Sequence, residues 1–242
     1  MIKSLISAIG FLTIIPTPKK YSGEFKHSVI FFPIVGLIIG GIIITVKTFG
    51  APIFPEAVLN LFIVFTFIIV TGGLHLDGLA DTVDGFYAGR KKEDILRIMD
   101  DPHIGAMGVI AIVFSLMTRY LAVLSIPKNI LISGLILSPV AGRWAMVLLM
   151  KISKPAKEDG LGNFFMKNIM NTDFIISGIL SILIMFFLFG LKGILIFSAV
   201  SLIVLTFSKY YNRKIGGITG DNLGAISEIT ELAALIFLSM KI

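Results

Sequence analysis

Three aspartates, Asp77, Asp81 and Asp84, follow one another at spacings of four and three in Thr71-Gly-Gly-Leu-His-Leu-Asp-Gly-Leu-Ala-Asp-Thr-Val-Asp-Gly85. On a helix turning about 100° per residue their carboxylates share one face, within about 60° of arc. Three like charges so close repel one another unless a cation sits among them. Hard carboxylate oxygens, a single neighbouring histidine (His75) and no cysteine anywhere in the chain suit Mg²⁺ or Mn²⁺. Mg²⁺ is commonly held by one or two carboxylates plus the phosphate oxygens of a substrate, so the chemistry indicated is phosphoryl transfer. The plainer alternative is a solvated acidic face ending an apolar helix. Carboxylates at the edge of an apolar run are costly and usually functional, which favours a site.

A second acidic junction, Gly220-Asp-Asn-Leu-Gly-Ala-Ile-Ser-Glu-Ile-Thr-Glu231, repeats the pattern. Asp221, Glu228 and Glu231 again fall on one helical face, and Asp221 joins Asp77, Asp81 and Asp84 as a candidate metal ligand. Glu228 and Glu231 lie inside an apolar run and need partners there. Pairing with Arg119 or Arg143 is the structural alternative to a catalytic role for Glu228. Between the junctions, Arg90, Lys91, Lys92, Arg97, Asp100, Asp101 and His103 form a charged stretch. Asp100 lies just ahead of Pro102 and of Gly105-Ala-Met-Gly108, whose backbone N–H groups can face an anion. Arg143, in Ser138-Pro-Val-Ala-Gly-Arg-Trp144, has a guanidinium fork suited to phosphate, whereas Arg119 is expected to snorkel or to pair structurally. The basic loop Lys154-Pro-Ala-Lys-Glu-Asp-Gly-Leu-Gly162 ends in a flexible Gly160-x-Gly162 able to close over a substrate.

The elements that must position these groups are membrane helices. Of 242 residues, 56% are hydrophobic and 15% charged, and mean hydropathy is +0.96, outside the balance of a water-soluble domain. Apolar runs of roughly 20 residues match the length needed to cross about 30 Å of hydrocarbon. Seven segments stand out: 28–50, 57–74, 106–126, 129–150, 174–190, 193–207 and 223–240. With the N-terminus inside, 15 of the 21 basic residues fall on the cytoplasmic side. Only Lys47, Lys128, Lys192 and Lys241 take outer ends, and Arg119 and Arg143 stay within the membrane. All three long polar connections then face the cytoplasm. The basic residues, scattered between apolar runs, form no nucleic-acid surface. Ile2, Leu5, Ile6, Ile9 and Leu12 recur at helical spacing without a cleavage pattern and predict a retained interfacial helix. The expectation is an all-α, polytopic membrane helix bundle of about seven crossings, a single domain over residues 1–242 in the cell membrane. A homo-oligomer is compatible with it.

Taken together, Gly72 to Gly85, Ile98 to Gly108, Ser138 to Arg143, Gly160-Leu-Gly162, and Asp221-Asn-Leu-Gly-Ala with Glu228 and Glu231 resemble the cobalamin synthase family, the adenosylcobinamide-GDP ribazoletransferases. The resemblance runs in order along nearly the whole chain, and its first motif is the specific one. Lys157 stands where an arginine would be expected. The resemblance implies a transferase joining adenosylcobinamide-GDP to alpha-ribazole or its 5′-phosphate, releasing GMP, with Mg²⁺ as cofactor. Asp77, Asp81, Asp84 and Asp221 are then expected around the metal. A proton-accepting carboxylate is drawn from Asp84, Asp221 or Glu228, and substrate contacts are assigned to His75, Arg90, Asp100, Arg143, Gly160, Gly162 and Asn222. Two rival readings of the acidic motifs are open. Asp81-x-x-Asp-Gly-x-x-Ala-x-Arg90 approaches the opening of the CDP-alcohol phosphotransferases, but the further aspartates of that motif do not follow Arg90. A cation transporter would need acids lining the outer half of the bundle, and these cluster at one end.

Overall fold

The computed structural model describes residues 1–18, 20, 25–157, 166 and 169–240. These form α1 (Ile2–Leu12), a 3₁₀ turn (Ser28–Phe31) running into α2 (Phe32–Gly50), α3 (Glu56–Val70), α4 (Leu74–Ala88), α5 (Lys92–Met99), α6 (Ala106–Ser125) and α7 (Lys128–Ile152), then α8 (Asn171–Phe189), α9 (Leu191–Ile215) and α10 (Gly220–Ser239). Among the described residues the only β-type pairing is an isolated parallel bridge between Pro155 and Ile218. The all-α, multi-pass expectation holds.

Six helices, α2 with its leading turn, α6, α7, α8, α9 and α10, are long and apolar enough to cross a membrane. The seventh expected crossing is broken. Helices α3 and α4 meet at 84°, because Gly72 and Gly73 both take the left-handed conformation, with φ of 63° and 72°. A side chain at either position would be strained there, so the Gly-Gly pair is what turns the chain off the axis of α3. We therefore read α3 as the membrane segment and α4 as a helix laid across the end of the bundle.

At the centre stands α7, buried on every side from Leu137 to Met150, as expected of a helix apolar all round. It packs against α2, α8, α9 and α10, while large apolar side chains such as Phe114, Phe187 and Leu202 face outward, where lipid is their natural solvent. One boundary differs from expectation. The apolar run ends at Phe207, yet α9 continues to Ile215 because Tyr211 and Ile215 remain buried beneath the polar residues of its last two turns. The predicted N-terminal helix is present as α1; it turns Ser4, Ser7, Ala8 and Leu12 inward and leaves Met1 and Ile2 exposed.

The polar connections gather at one end. The bridge at Pro155 and Ile218 is closed by the amide of Ala156 donating to the carbonyl of Ile218 (2.9 Å) and that of Ile218 donating to the carbonyl of Lys154 (2.8 Å). The Lys157 ammonium reaches Asp100, at the end of α5.

Candidate active site

All three aspartates of the first motif lie on α4. Asp77 is exposed and Asp81 and Asp84 are half-buried, while His75, Gly78, Leu79, Thr82 and Gly85 are turned inward. Contact with α10 is close: a Cβ on Gly78 would sit 2.7 Å from the carbonyl oxygen of Asp221, so glycine is what lets the two acidic motifs meet. The start of α10 is held by a capping box in which Thr219 and Asn222 satisfy each other's backbone amides. Its Thr219 hydroxyl also donates to Asp221 (3.1 Å).

Burial, followed by the charges of Asp77, Asp221, Asp84 and Asp100, raises the Asp81 carboxyl to about 7. Carboxylates from α4, α10 and the end of α5 are thus close enough to oppose one another's ionisation. A cleft of about 480 Å³ opens beside them, lined by Gly72, Gly73, Leu74, Leu76, Asp77 and Ile112.

Asp84 behaves differently from its neighbours. One carboxylate oxygen accepts from the amide of Gly105 (2.7 Å) and the other from that of Gly108 (2.8 Å). The Gly-Ala-x-Gly turn expected to face a bound anion therefore holds an anion supplied by the chain, and Asp84 caps α6. This places Asp84 as a brace between α4 and α6, with part of its ligating capacity already taken. Asp84→Ala is expected to speed amide exchange at Gly105 and Gly108 and to weaken the start of α6 by about 1–2 kcal/mol, the usual cost of a lost N-terminal cap. Hydrogen–deuterium exchange with thermal melting checks it.

Among the described residues no three His, Asp or Glu side chains converge into a ready-made metal cage. The donor set still fits a hard cation in the manner of Mg²⁺, which needs only one or two carboxylates when phosphate oxygens complete its shell. Asp77 has no hydrogen-bond or ion-pair partner among the described residues, and Asp81 is ionised only against its neighbours.

The second glutamate pair lies deeper. Arg119 of α6 donates through Nη2 to Glu228 (2.6 Å) and through Nη1 to Glu231 (2.9 Å), and lies 4.4 Å from the centre of the Phe67 ring. Arg143 of α7 is bonded to Glu231, and the Ser115 hydroxyl donates to Glu228 (3.3 Å). Two arginines and two glutamates form a neutral, enclosed quartet. Arg119 pairs and does not snorkel. Glu228, expected to be catalytic, has its Oε2 engaged by Arg119 and Ser115, and Arg143, expected on a phosphate, is 1% exposed. Nε and Nη2 of Arg143 stay without a hydrogen-bond partner among the described residues.

The remaining expected positions divide. Asn222 is fully buried, accepts from the Thr219 amide and donates to the Thr82 hydroxyl (3.1 Å), which joins α10 to α4. His75 is 1% exposed and neither ring nitrogen has a partner among the described residues. Arg90 is exposed just beyond α4, and Asp100 is exposed beside Lys157. Gly160 and Gly162 lie outside the described residues. Sequence reasoning missed Thr82, Ser115 and Phe67, whose roles depend on which helix faces them. Thr219 was detectable, since Thr-x-x-Asn has capping-box spacing.

Residues 4–239 match a family model described as cobalamin-5-phosphate synthase. An adenosylcobinamide-GDP ribazoletransferase of a Thermoanaerobacter species is 37% identical over 251 residues, covering 100% of this chain and 99% of its own. One from Caldanaerobacter subterraneus is 37% identical over 246 residues, covering 99% and 98%, and one from Clostridium tetani 38% over 245 residues, covering 99% and 97%. No solved structure matches.

Proposed function

As the chain belongs to the cobalamin-5-phosphate synthase family, we propose that it is an adenosylcobinamide-GDP ribazoletransferase whose transfer takes place at the meeting of α4 and α10. The hydroxyl oxygen of alpha-ribazole, or of its 5′-phosphate, attacks the phosphorus nearer the corrinoid. One P–O bond forms, the pyrophosphate P–O bond breaks, GMP leaves, and adenosylcobalamin or its phosphate results. The observation that carries this reading is the meeting of the two acidic motifs at Gly78 and Asp221, where burial and then the charges of the surrounding carboxylates raise the Asp81 carboxyl to about 7.

Asp77 and Asp81, one turn apart on α4, would hold Mg²⁺. The metal would supply charge stabilisation for the pyrophosphate and the departing GMP. Asp221, oriented by the Thr219 hydroxyl, accepts the proton of the attacking alcohol. Asp84 holds α6 against α4, and the apolar walls of the cleft beside Asp77 receive the substrate from the membrane side. Exposed Arg90 stands near enough in sequence to the end of α4 to meet the nucleotide phosphates. The assignment from sequence of 15 basic residues to the inner side against four to the outer supports a cytoplasmic active face.

Purified protein in detergent, given adenosylcobinamide-GDP, alpha-ribazole and Mg²⁺, is expected to release GMP and form a cobalamin. CMP release from a lipid precursor, without GMP from the corrinoid, would transfer the site to the CDP-alcohol reaction. The same assay carries a pH prediction. Because the Asp81 carboxyl is raised, it holds a proton below about pH 7 in the metal-free protein and must lose it to ligate. The Mg²⁺ concentration for half-maximal rate therefore falls as pH rises through about 7. In the metal-free protein the sign is the opposite: the contribution of Asp81 to stability is fully present below its unfolded pKa and is lost as pH rises towards 7.

A further inference from the structure

The end of the bundle away from the acids has a cavity of its own, of about 240 Å³. It lies where α2 ends and α3 and α7 begin, lined by Lys47, Glu56, Asn60 and Lys128 together with Ala51, Phe54, Leu59 and Leu131. Asn60 faces it from one turn inside α3; it is 2% exposed, and its carboxamide has no hydrogen-bond partner among the described residues. Its amide borders the cavity with both donor and acceptor free to meet a ligand there. At the rim, the Lys128 ammonium donates to Glu56 (2.8 Å), while Lys47 has no ion-pair partner among the described residues. Two lysines against one glutamate leave the cavity positive. Helices α3 and α7 both start here after a proline, with no side-chain cap on their first amides, which adds to the attraction for an anion. The inner walls are apolar, and the helices that frame them are read as crossing the membrane.

We propose that this cavity binds the headgroup of an anionic phospholipid. Its phosphodiester lies between Lys47 and Lys128, its glycerol oxygens meet the Asn60 carboxamide, and its first methylenes run along Leu59 and Leu131. A free phosphate would satisfy the lysines but leave the apolar walls and the recessed amide unmet. The lipid would brace α2, α3 and α7 against one another at the end remote from the site.

The test uses the full-length protein in maltoside micelles doped with phosphatidylglycerol or phosphatidylcholine, or supplied with inorganic phosphate alone. Retained lipid is read by native mass spectrometry and the unfolding midpoint by thermal melting. Wild-type protein should retain one phosphatidylglycerol and melt at a higher temperature with it than with phosphatidylcholine. Lys47→Gln should lower its occupancy about tenfold, the equivalent of one charge-assisted hydrogen bond, and remove most of the thermal shift while leaving GMP release unchanged. Asn60→Leu should do the same; if that variant does not fold, Lys47→Gln and Lys128→Gln decide. Equal effects of the two lipids, or full retention by Lys47→Gln, would overturn the proposal. Protection by inorganic phosphate alone would make this a soluble-anion site and overturn the lipid assignment.

Discussion

Asp81→Asn is expected to lower GMP release by about 10²–10³-fold, the scale for removing one element of a preorganised electrostatic site, without unfolding the protein. The second half of that statement separates a catalytic loss from a structural one. Asparagine matches aspartate in shape and takes away the charge that Asp77, Asp221, Asp84 and Asp100 all oppose. In the absence of metal above pH 7 the variant should melt no lower than wild type, and its melting temperature should lose its response to Mg²⁺. Initial rates at saturating Mg²⁺ and paired melting curves supply both readouts. Wild-type turnover by a folded Asp81→Asn protein would remove Asp81 from the metal.

Arg119→Leu is expected to have the largest effect on the fold, about 3–5 kcal/mol, as when one partner of a buried ion pair is removed. The guanidinium bonds Glu228 and Glu231 at once and stacks near Phe67, so its loss strands two carboxylates in an apolar interior with only Arg143 to answer them. Arg119→Lys should recover a minor part, since a point charge lacks the fork that serves two acceptors. Combining Arg119→Leu with Glu228→Gln should restore more than lysine does, because it removes one of the stranded charges. Fluorescence-detected melting in detergent ranks the three variants.

These two residues also mark how far the chain could be understood before folding. The face shared by Asp77, Asp81 and Asp84 follows from spacing alone, and α4 forms as that spacing requires. The crossings, too, are local: each depends on the length of one apolar run. What spacing does not contain is the rotation and depth of one helix against another. Arg119 and Glu231 are 112 positions apart, and only the packing of α6 on α10 makes them partners. Asn222 beside Asp221 meets the Thr82 hydroxyl, 140 positions away, only because α4 lies on α10. Asp84 belongs by spacing with its two neighbours, yet the amides of Gly105 and Gly108 at the start of α6 return to it and take its oxygens. Long-range contacts of this kind show which carboxylates the packing of the helices already engages.

The break at Gly72-Gly73 reaches beyond the direction of α4. Helix α3 has 15 residues, hence an axial length of about 22 Å, against the roughly 30 Å of hydrocarbon that the longer helices are matched to. A segment that short is accommodated by local thinning of the bilayer. Thinning on the side of the acids would set the meeting of α4 and α10 in a water-filled depression below the general level of the lipid headgroups.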